Sequence, residues 1–326
     1  MISTYAADER GLSHTGDDLG NMEKAVWIDL RAPTRDEEIA VERALGLDVP
    51  TREEMQEIEL SSRLYNEDDA TFMTANILTH TDGDDVAISP LTFILHGTRL
   101  ITVRYAFPRN IDAFVARCGR GGVWTADLLA IGLLEVNIER LADLIERASS
   151  DLDALSNSIF LTRTPVAGKR KRARPRNYQE VLEAIGGKGD LVSKIRDSLV
   201  SMQRLLTHYA GQEVARNTGR DVQVRLKSLS RDVEALREHA SFMTQKVNFL
   251  LDATLGMINI EQNAIIKIFS VAAVIFLPPT LIASMYGMNF THMPELDWPL
   301  GYPFAIGLMI VSAILPYLFF KRRGWL

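Results

Sequence analysis

The sequence predicts an α+β cytoplasmic domain, then a long α-helical stalk, then two C-terminal transmembrane helices. Strand-like segments fill the first third of the chain, and heptad-spaced apolar residues fill the middle. Residues 268–293 and 299–320 contain no acidic or strongly basic side chain. Because nearly all of the 36 basic and 42 acidic residues precede these two stretches, the polar and the membrane parts follow one another along the chain.

The N-terminal region mixes strand and helix signals. Four segments rich in β-branched and aromatic residues predict strands: AVWIDL (25–30), ATFMTANILTHT (70–81), DVAISPLTFIL (85–95) and TRLITVRY (98–105). Thr34 and Thr51 each precede an acidic run, so PTRDEEIAVERALG and PTREEMQEIELSSR predict short capped helices. The sequence shows neither a nucleotide loop nor a catalytic triad, and we therefore do not expect an enzyme.

A long helix is predicted next, because apolar residues recur at alternating steps of three and four. This stripe consists of Ile131, Leu134, Ile138, Leu141, Ile145, Ala148, Leu152, Leu155 and Ile159. It stops at RTPVAGKRKRARPRNYQ, where Pro165, Gly168 and Pro175 would break a helix, and helix signals resume from about Asp190 to Tyr209. The pattern predicts a helical hairpin with a basic tip.

The following helix is predicted to be much longer than a helix of an ordinary globular domain. Its stripe consists of Val222, Leu226, Leu229, Val233, Leu236, Ala240, Met243, Val247, Leu250, Thr254 and Met257. No proline interrupts it before Pro278, and at 1.5 Å per residue the segment from Val222 to Tyr286 would extend on the order of 100 Å. One helix can therefore run from the cytoplasm into the membrane, and its heptads offer a reason for copies to associate.

The two apolar segments, Ile268 to Tyr286 and Leu300 to Phe320, have the length that crosses a bilayer. Soluble core helices rarely stay apolar on all sides for so long. Lys267 precedes the first segment and residues 321–323 (KRR) follow the second, so the positive-inside rule predicts cytoplasmic ends and an external connector. The start MISTYAADERGLSHTGDD lacks the pattern of a secretory signal.

Two transmembrane helices cannot enclose a water-filled path, so transport would require an oligomer around a common axis. Extending the stalk register into the first span gives a face of small, apolar and polar side chains: Asn263, Ile266, Ser270, Ala273, Leu277, Thr280 and Ser284. This face lacks carboxylate, imidazole and thiol groups, which favours a hard, hydrated cation such as Mg²⁺ over a dehydrated transition metal. The alternative is a packing stripe whose hydroxyls bond to the preceding turn.

The connector YGMNFTHMPEL, residues 286–296, resembles the signature of the CorA family of magnesium transporters. The preceding KVNFLLDATLGMINIEQNAIIKIFSVAAVIFLPPTLIAS and the terminal KRRGWL also look like bacterial members, whereas the N-terminal third is similar only in VWIDL, TREEMQEIE and RLYNEDD. The resemblance implies a funnel-shaped homopentamer in the bacterial inner membrane. It also implies Mg²⁺ as the transported and regulatory ion, lipid and divalent cations as partners, and no organic cofactor.

Residue roles follow from that resemblance. Gly287, Met288 and Asn289 would form the selectivity filter, with Ile266 and Leu277 as apolar constrictions. His292, Glu295 and Asp297 would lie at the outer mouth. Many relatives carry an acidic residue after Gly-Met-Asn-Phe, but here Thr291 and His292 follow. His292 is therefore either an ordinary loop residue or one member of a circle of histidines, one from each subunit, whose imidazoles would favour Co²⁺, Ni²⁺ or Zn²⁺.

Two further groups of charged residues have both an ordinary and a functional interpretation. Regulatory Mg²⁺ could bind stalk carboxylates, for which the candidates are Asp232, Glu234, Glu238 and Asp252; each could equally be a solvated helix charge. The basic tip could bind anionic headgroups or be simply solvated; its cations are Lys169, Arg170, Lys171, Arg172, Arg174 and Arg176.

The sequence thus predicts seven segments. These are the α/β domain (1–124), the helical hairpin (125–211), the stalk (212–264), the pore-lining span (265–286), the external loop (287–299), the second span (300–320) and a basic tail (321–326). The favoured function is channel-like Mg²⁺ uptake gated by internal Mg²⁺; the alternatives are a Zn²⁺ transporter of a related branch and a membrane-anchored sensor. The net charge of −6 argues against a nucleic-acid partner, and the single Cys118 excludes an intramolecular disulfide.

Overall fold

The computed structural model describes residues 1–17, 20, 22–67, 69–81, 83, 85–160, 177–216, 219–289, 293 and 298–325. The chain forms two compact units, Met1–Leu250 and Leu251–Leu326. Each unit is described by itself below.

The first unit contains a mixed sheet in the strand order β2-β1-β3-β7-β6-β5-β4. The strands are β1 (Ile2–Asp8), β2 (Gly11–Gly16), β3 (Trp27–Arg31), β4 (Leu64–Glu67), β5 (Ala70–Thr79), β6 (Ala87–His96) and β7 (Arg99–Arg104). β3 and β7 pair in parallel, with Asp29 opposite Thr102, and the other pairs in the described sheet are antiparallel. The four predicted strands are confirmed as β3, β5, β6 and β7.

Seven α-helices accompany the sheet in the described part of the chain. They are α1 (Arg35–Leu45), α2 (Arg52–Gln56), α3 (Arg109–Cys118), α4 (Ala126–Phe160), α5 (Tyr178–Arg216), α6 (Arg220–Tyr286) and α7 (Gly301–Arg322). Short 3-10 helices occupy Met22–Lys24 and Leu60–Ser62.

The predicted N-caps of the first two helices are confirmed. Thr34 accepts a hydrogen bond from the Glu37 backbone, and the Glu37 carboxylate accepts one from the Thr34 backbone, which completes a capping box. Thr51 and Glu54 do the same for α2. The predicted length of α2 is wrong, however: the helix ends at Gln56, because Ile58, the apolar residue one helical turn after Met55, is 94% exposed and gives a further turn nothing to pack.

The sheet separates two apolar layers, since successive strand residues point to opposite faces. Trp27, Phe93 and Leu100 pack on the side of α3, α4 and α5. Their neighbours Ile28, Ile94 and Ile101 pack on the other side, which α1 and α2 cover. Both faces are therefore covered within one chain.

A buried ion pair connects the two parallel strands. Arg104 donates from Nη2 to Asp29 Oδ2 at 2.7 Å and from Nε to Oδ1 at 3.1 Å. The Thr102 hydroxyl donates to Asp29 Oδ1 at 2.7 Å and accepts from the Trp27 indole at 2.9 Å. Because the Asp29 and Arg104 side chains are only 1% and 2% exposed, these bonds replace water entirely for both charges.

The heptad stripes of α4 and α6 are buried inside the chain's own core. The stripe of α4 packs there together with α5 residues such as Leu199 and Met202. Val222, Leu226, Leu229, Val233, Ala240, Met243 and Leu250 of α6 belong to the same cluster. The expectation that the stalk heptads provide an association surface is therefore wrong for Val222 to Leu250, because heptad spacing shows which face is buried but not what buries it.

The helix α5 begins earlier and ends later than the predicted Asp190 to Tyr209. Three glycines near its start, Gly186, Gly187 and Gly189, weaken the sequence signal. Packing outweighs this cost, since Ile185 and Val192 are both buried. At Gly189 a Cβ would lie 3.3 Å from Val247 of α6, so the small residue allows the two helices to approach closely.

The second unit consists of the last part of α6, from Leu251 to Tyr286, and α7. Both helices are long and apolar enough to cross a membrane, and only 6% of the most apolar 18-residue window of each is buried. A core helix of a soluble protein would be mostly buried, so low burial and apolar composition together favour membrane helices.

Candidate ion-conduction site

The predicted pore face of α6 is exposed along its whole length. Its members Asn263, Ile266, Ser270, Leu277, Thr280 and Ser284 are all exposed in the single chain, Leu277 by 66%. A line of buried or partly buried residues, Val271, Ile275, Pro278, Ile282 and Tyr286, runs along another side of the helix. At 3.6 residues per turn, the centres of the two lines are roughly 150° apart. The candidate face thus points away from the side that the chain itself covers.

Pro278 and Pro279 lie within α6 without ending it. The hydroxyl of Thr280, in the next position, donates to the Phe276 carbonyl at 2.7 Å. The sequence left open whether the hydroxyls of this face bond to the preceding turn of the helix, and the Thr280 hydroxyl does so. The Thr280 oxygen keeps acceptor capacity, so it can still contact a water molecule of a hydrated ion.

The predicted filter follows the last turn of α6 directly. The Gly287 backbone donates to Ala283 at 2.9 Å, and Met288 donates to Met285 at 3.3 Å. Gly287 is not among the glycines with a positive φ; instead, a Cβ on it would lie 3.1 Å from the Ala283 carbonyl oxygen. Space, rather than backbone handedness, favours glycine here. Asn289 is exposed beyond this turn, whereas His292, Glu295 and Asp297 lie outside the described residues.

The candidate regulatory carboxylates are not brought together within one chain. Asp232 lines a groove of about 710 Å³ between α4 and α6. Glu234 and Glu238 line another groove, of about 780 Å³, between α5 and α6, where Glu234 pairs with Arg237 at 3.2 Å. Asp252 belongs to the second unit. Among the residues that the structure describes, no three His, Cys, Asp or Glu side chains are grouped so that they could hold a metal.

The single cysteine of the chain is not available as a metal ligand. Burial raises the pKa of the Cys118 thiol to about 11, so it stays protonated at neutral pH and is unavailable as a thiolate ligand.

The basic tip that was predicted to contact headgroups lies in 161–176, outside the described part of the chain. Its cations are Lys169, Arg170, Lys171, Arg172, Arg174 and Arg176.

Comparison with known proteins gives a consistent match. The model of the family described as CorA-like Mg²⁺ transporter protein matches residues 22–322. The chain is 40% identical to the magnesium transport protein CorA of Escherichia coli and 38% identical to that of Pectobacterium atrosepticum, each over 332 aligned positions that cover both proteins completely.

The fold is also that of a solved structure. The complete structure of the CorA magnesium transporter from Methanocaldococcus jannaschii matches with a TM-score of 0.79, covering 100% of this chain and 99% of that one. At 19% identity this match shows the shared fold, while the family assignment depends on the sequence comparisons.

Proposed function

This chain belongs to the CorA family, which consists of transporters rather than enzymes, and from that premise we propose that it carries Mg²⁺ across the bacterial inner membrane. The observation that carries the proposal is the exposed polar face of α6, which ends at Gly287, Met288 and Asn289. A lipid-facing helix would gain nothing from the Asn263 amide or the Ser284 hydroxyl.

The pathway requires several copies, because two spans cannot enclose water. The α6 stripe in the first unit is already buried, so its heptads are unavailable for assembly. The exposed α6 face in the second unit supplies the free surface, and family resemblance supports a homopentamer around it. In this arrangement Ile266 and Leu277 form apolar constrictions that gate by dewetting.

The filter would bind Mg²⁺ with its water shell. Rings of Asn289 side-chain and backbone carbonyls attract the hydrated ion without removing its tightly held waters, so the ion can leave again. Glu295 and Asp297, repeated around the axis, would raise the local cation concentration. Lys267 and residues 321–323 support an orientation with both chain ends in the cytoplasm, where Mg²⁺ arrives driven by the membrane potential.

Internal Mg²⁺ would close the pore by binding the closed assembly preferentially. Asp232 lies in one groove, Glu234 and Glu238 in another, and Asp252 in the second unit. A site built from these carboxylates therefore has to include groups from neighbouring copies. The basic segment 169–176 remains a predicted headgroup contact, for which unchanged liposome binding after neutralisation would be the contrary result.

The test is ion flux into proteoliposomes that hold the purified full-length protein at an interior-negative potential. We expect Mg²⁺ entry that falls at least tenfold in Asn289→Ala and persists in Asn157→Ala, a matched change at an exposed position of α4. Mg²⁺ preloaded on the cytoplasmic side should slow entry.

Parallel assays with Co²⁺, Ni²⁺ and Zn²⁺ define the ion preference. Entry of Zn²⁺ without Mg²⁺ would contradict the proposal and move attention to His292. Absence of flux for every divalent ion would leave the membrane-anchored sensor as the explanation.

A further inference from the structure

The C-terminal end of α7 has a specific turn that folds the chain back. Gly324 has a φ of +70°, and its backbone donates to Lys321 at 3.2 Å. The Trp325 backbone donates to Phe320 at 3.1 Å, which completes the two bonds of a Schellman motif. The apolar contact typical of this motif is also present, because the Trp325 and Phe320 rings stack with centroids 5.5 Å apart.

This turn brings Trp325 next to the start of the apolar part of α6. Lys267 Nζ lies 5.8 Å from the Trp325 ring centroid, within the range of a cation–π contact. Ile268 and Phe269, which follow Lys267, are 64% and 71% exposed. A charged group and a large apolar surface thus adjoin at one place.

Four cations belong to the two chain segments that meet at this contact, and we call Lys267, Lys321, Arg322, Arg323 and Trp325 the tail cluster. Lys321 and Arg323 lie over the rings of Tyr317 and Phe319, at 5.9 and 5.4 Å. In the part of the chain that the structure describes, none of the four cations forms a salt bridge with a carboxylate. All four side chains are exposed.

We propose that the tail cluster binds the phosphate headgroup of an anionic phospholipid. Cations beside a membrane helix attract anionic headgroups, and an indole ring prefers the level of the bilayer interface. The exposed Ile268 and Phe269 would contact the acyl chains, which is why a lipid fits this place better than a free phosphate ion. The proposal rests on the proposed transmembrane arrangement of α6 and α7, but it does not depend on which ion is carried.

The test uses the full-length protein with Trp298→Phe, so that Trp325 is the remaining tryptophan of the second unit. In zwitterionic micelles the protein is titrated with phosphatidylglycerol or phosphatidylcholine that carries brominated acyl chains, and quenching of tryptophan fluorescence is measured. We expect the anionic lipid to quench the protein with its tail cluster intact at a roughly 100-fold lower concentration than it quenches the triple variant Lys267→Gln, Arg322→Gln and Arg323→Gln.

A matched triple change controls for net charge. Arg220→Gln, Lys227→Gln and Arg231→Gln remove three exposed cations from the first unit and should leave the preference intact. Gly324→Ala keeps every charge but disfavours the positive φ, and should weaken quenching severalfold by releasing Trp325.

Three results would overturn the proposal. They are equal quenching by both lipids, an unchanged preference in the first triple variant, and full competition by inorganic phosphate with no preference for anionic lipid. Mg²⁺ flux, measured after the same purified protein is reconstituted into proteoliposomes, separates the two hypotheses: anionic preference without flux would retain the lipid site and reject the proposed transport.

Discussion

The two units of this chain differ in where they place their apolar side chains: the first buries them and the second exposes them. In Met1–Leu250 a sheet with helices on both faces buries its apolar side chains and even an ion pair, Asp29 with Arg104. In Leu251–Leu326 most large apolar side chains point outward, and the most apolar windows of α6 and α7 are 6% buried. The first unit is covered within one chain, whereas the second leaves a large apolar surface uncovered, as helices of a membrane protein do.

The heptad spacing of α6 corresponds to different surroundings in the two units. Heptad spacing continues across both units along α6, yet only the part before Leu251 is used for the chain's own core. The same periodic signal therefore has two physical meanings along one helix. What distinguishes them is the presence of α4 and α5 beside the first part.

Thiol labelling should give the largest difference between the units. Cys118 is fully buried and burial raises its pKa to about 11, so we expect its alkylation at pH 8 to be at least about 1,000-fold slower than that of an exposed thiol, because reaction requires opening of the core. With Cys118→Ala as background, Ser284→Cys on the exposed α6 face should react with a cationic aqueous reagent, and Ile282→Cys on the covered line should react more slowly. Similar rates at positions 118 and 284 would remove the contrast.

Arg104→Met should strongly destabilise the first unit. It removes the hydrogen-bonded guanidinium from the buried Asp29 carboxylate and leaves the more distant Arg31, whose Nε lies 3.8 Å from Oδ2, so we expect a cost near the low end for a broken buried pair, about 3 kcal/mol of unfolding free energy. Denaturant unfolding of the full-length protein, followed by near-ultraviolet circular dichroism, measures the loss. Arg43→Met, at an exposed position of α1, should change stability by less than about 0.5 kcal/mol. Adding Asp29→Leu should restore part of the loss, and a cost below 1 kcal/mol for Arg104→Met would be contrary evidence.

Gly132→Ala should destabilise the first unit by about 1–3 kcal/mol, although alanine is the better helix former. Its Cβ would lie 2.5 Å from Cε2 and 2.6 Å from Cζ of Phe114. Phe114 is itself buried and packs edge-on against Trp124, so its ring has little room to move. The midpoint of denaturant unfolding checks this, and an unchanged or raised midpoint would show that the helices α3 and α4 separate easily.

Gly256→Ala is the matched change in the second unit and should have the opposite sign. No atom lies within 4 Å of the Cβ position, so helix propensity alone applies and stability should rise by about 0.5–1 kcal/mol. Thermal unfolding in detergent measures it. A loss of stability would mean that α6 of another copy packs closely at Gly256, which would sharpen the comparison by locating an assembly contact.

The fold was predictable where local signals are long. The strands β5 and β6 each have ten residues with many β-branched side chains, and α4 and α6 have extended stripes. The strands β1, β2 and β4 were missed because their segments ISTYAAD, GLSHTG and LYNE contain Ala, Asp, Gly, Asn or Glu, which are depleted in strands, so local composition gives a weak signal. The helix α3 was also missed, although Ile111, Phe114 and Cys118 have helical spacing after Pro108.

The candidate site was predictable in part. The polar residues of the α6 face could be assigned to one side from spacing alone, because an uninterrupted helix preserves that relation. The requirement for glycine at position 287 could not, since it depends on the distance to the Ala283 oxygen. For the tail cluster, the sequence predicted only that basic residues flank the two spans. Its aromatic member depends on a two-residue turn signal, Gly324-Trp325, and on a contact with the distant Lys267.

The order of the units along the chain has a consequence for biosynthesis. At about 5–20 residues per second, Ile268 at the start of the apolar stretch follows Leu250, the last residue of the first unit, by about 1–4 s, whereas small mixed α/β domains fold in well under a second. Because the first unit has a core of its own, we expect it to fold on the ribosome before the apolar part of α6 emerges. A folded sheet domain cannot be threaded through a narrow translocon, so this timing agrees with the proposed topology, in which the first unit stays on the side of the membrane where it is made.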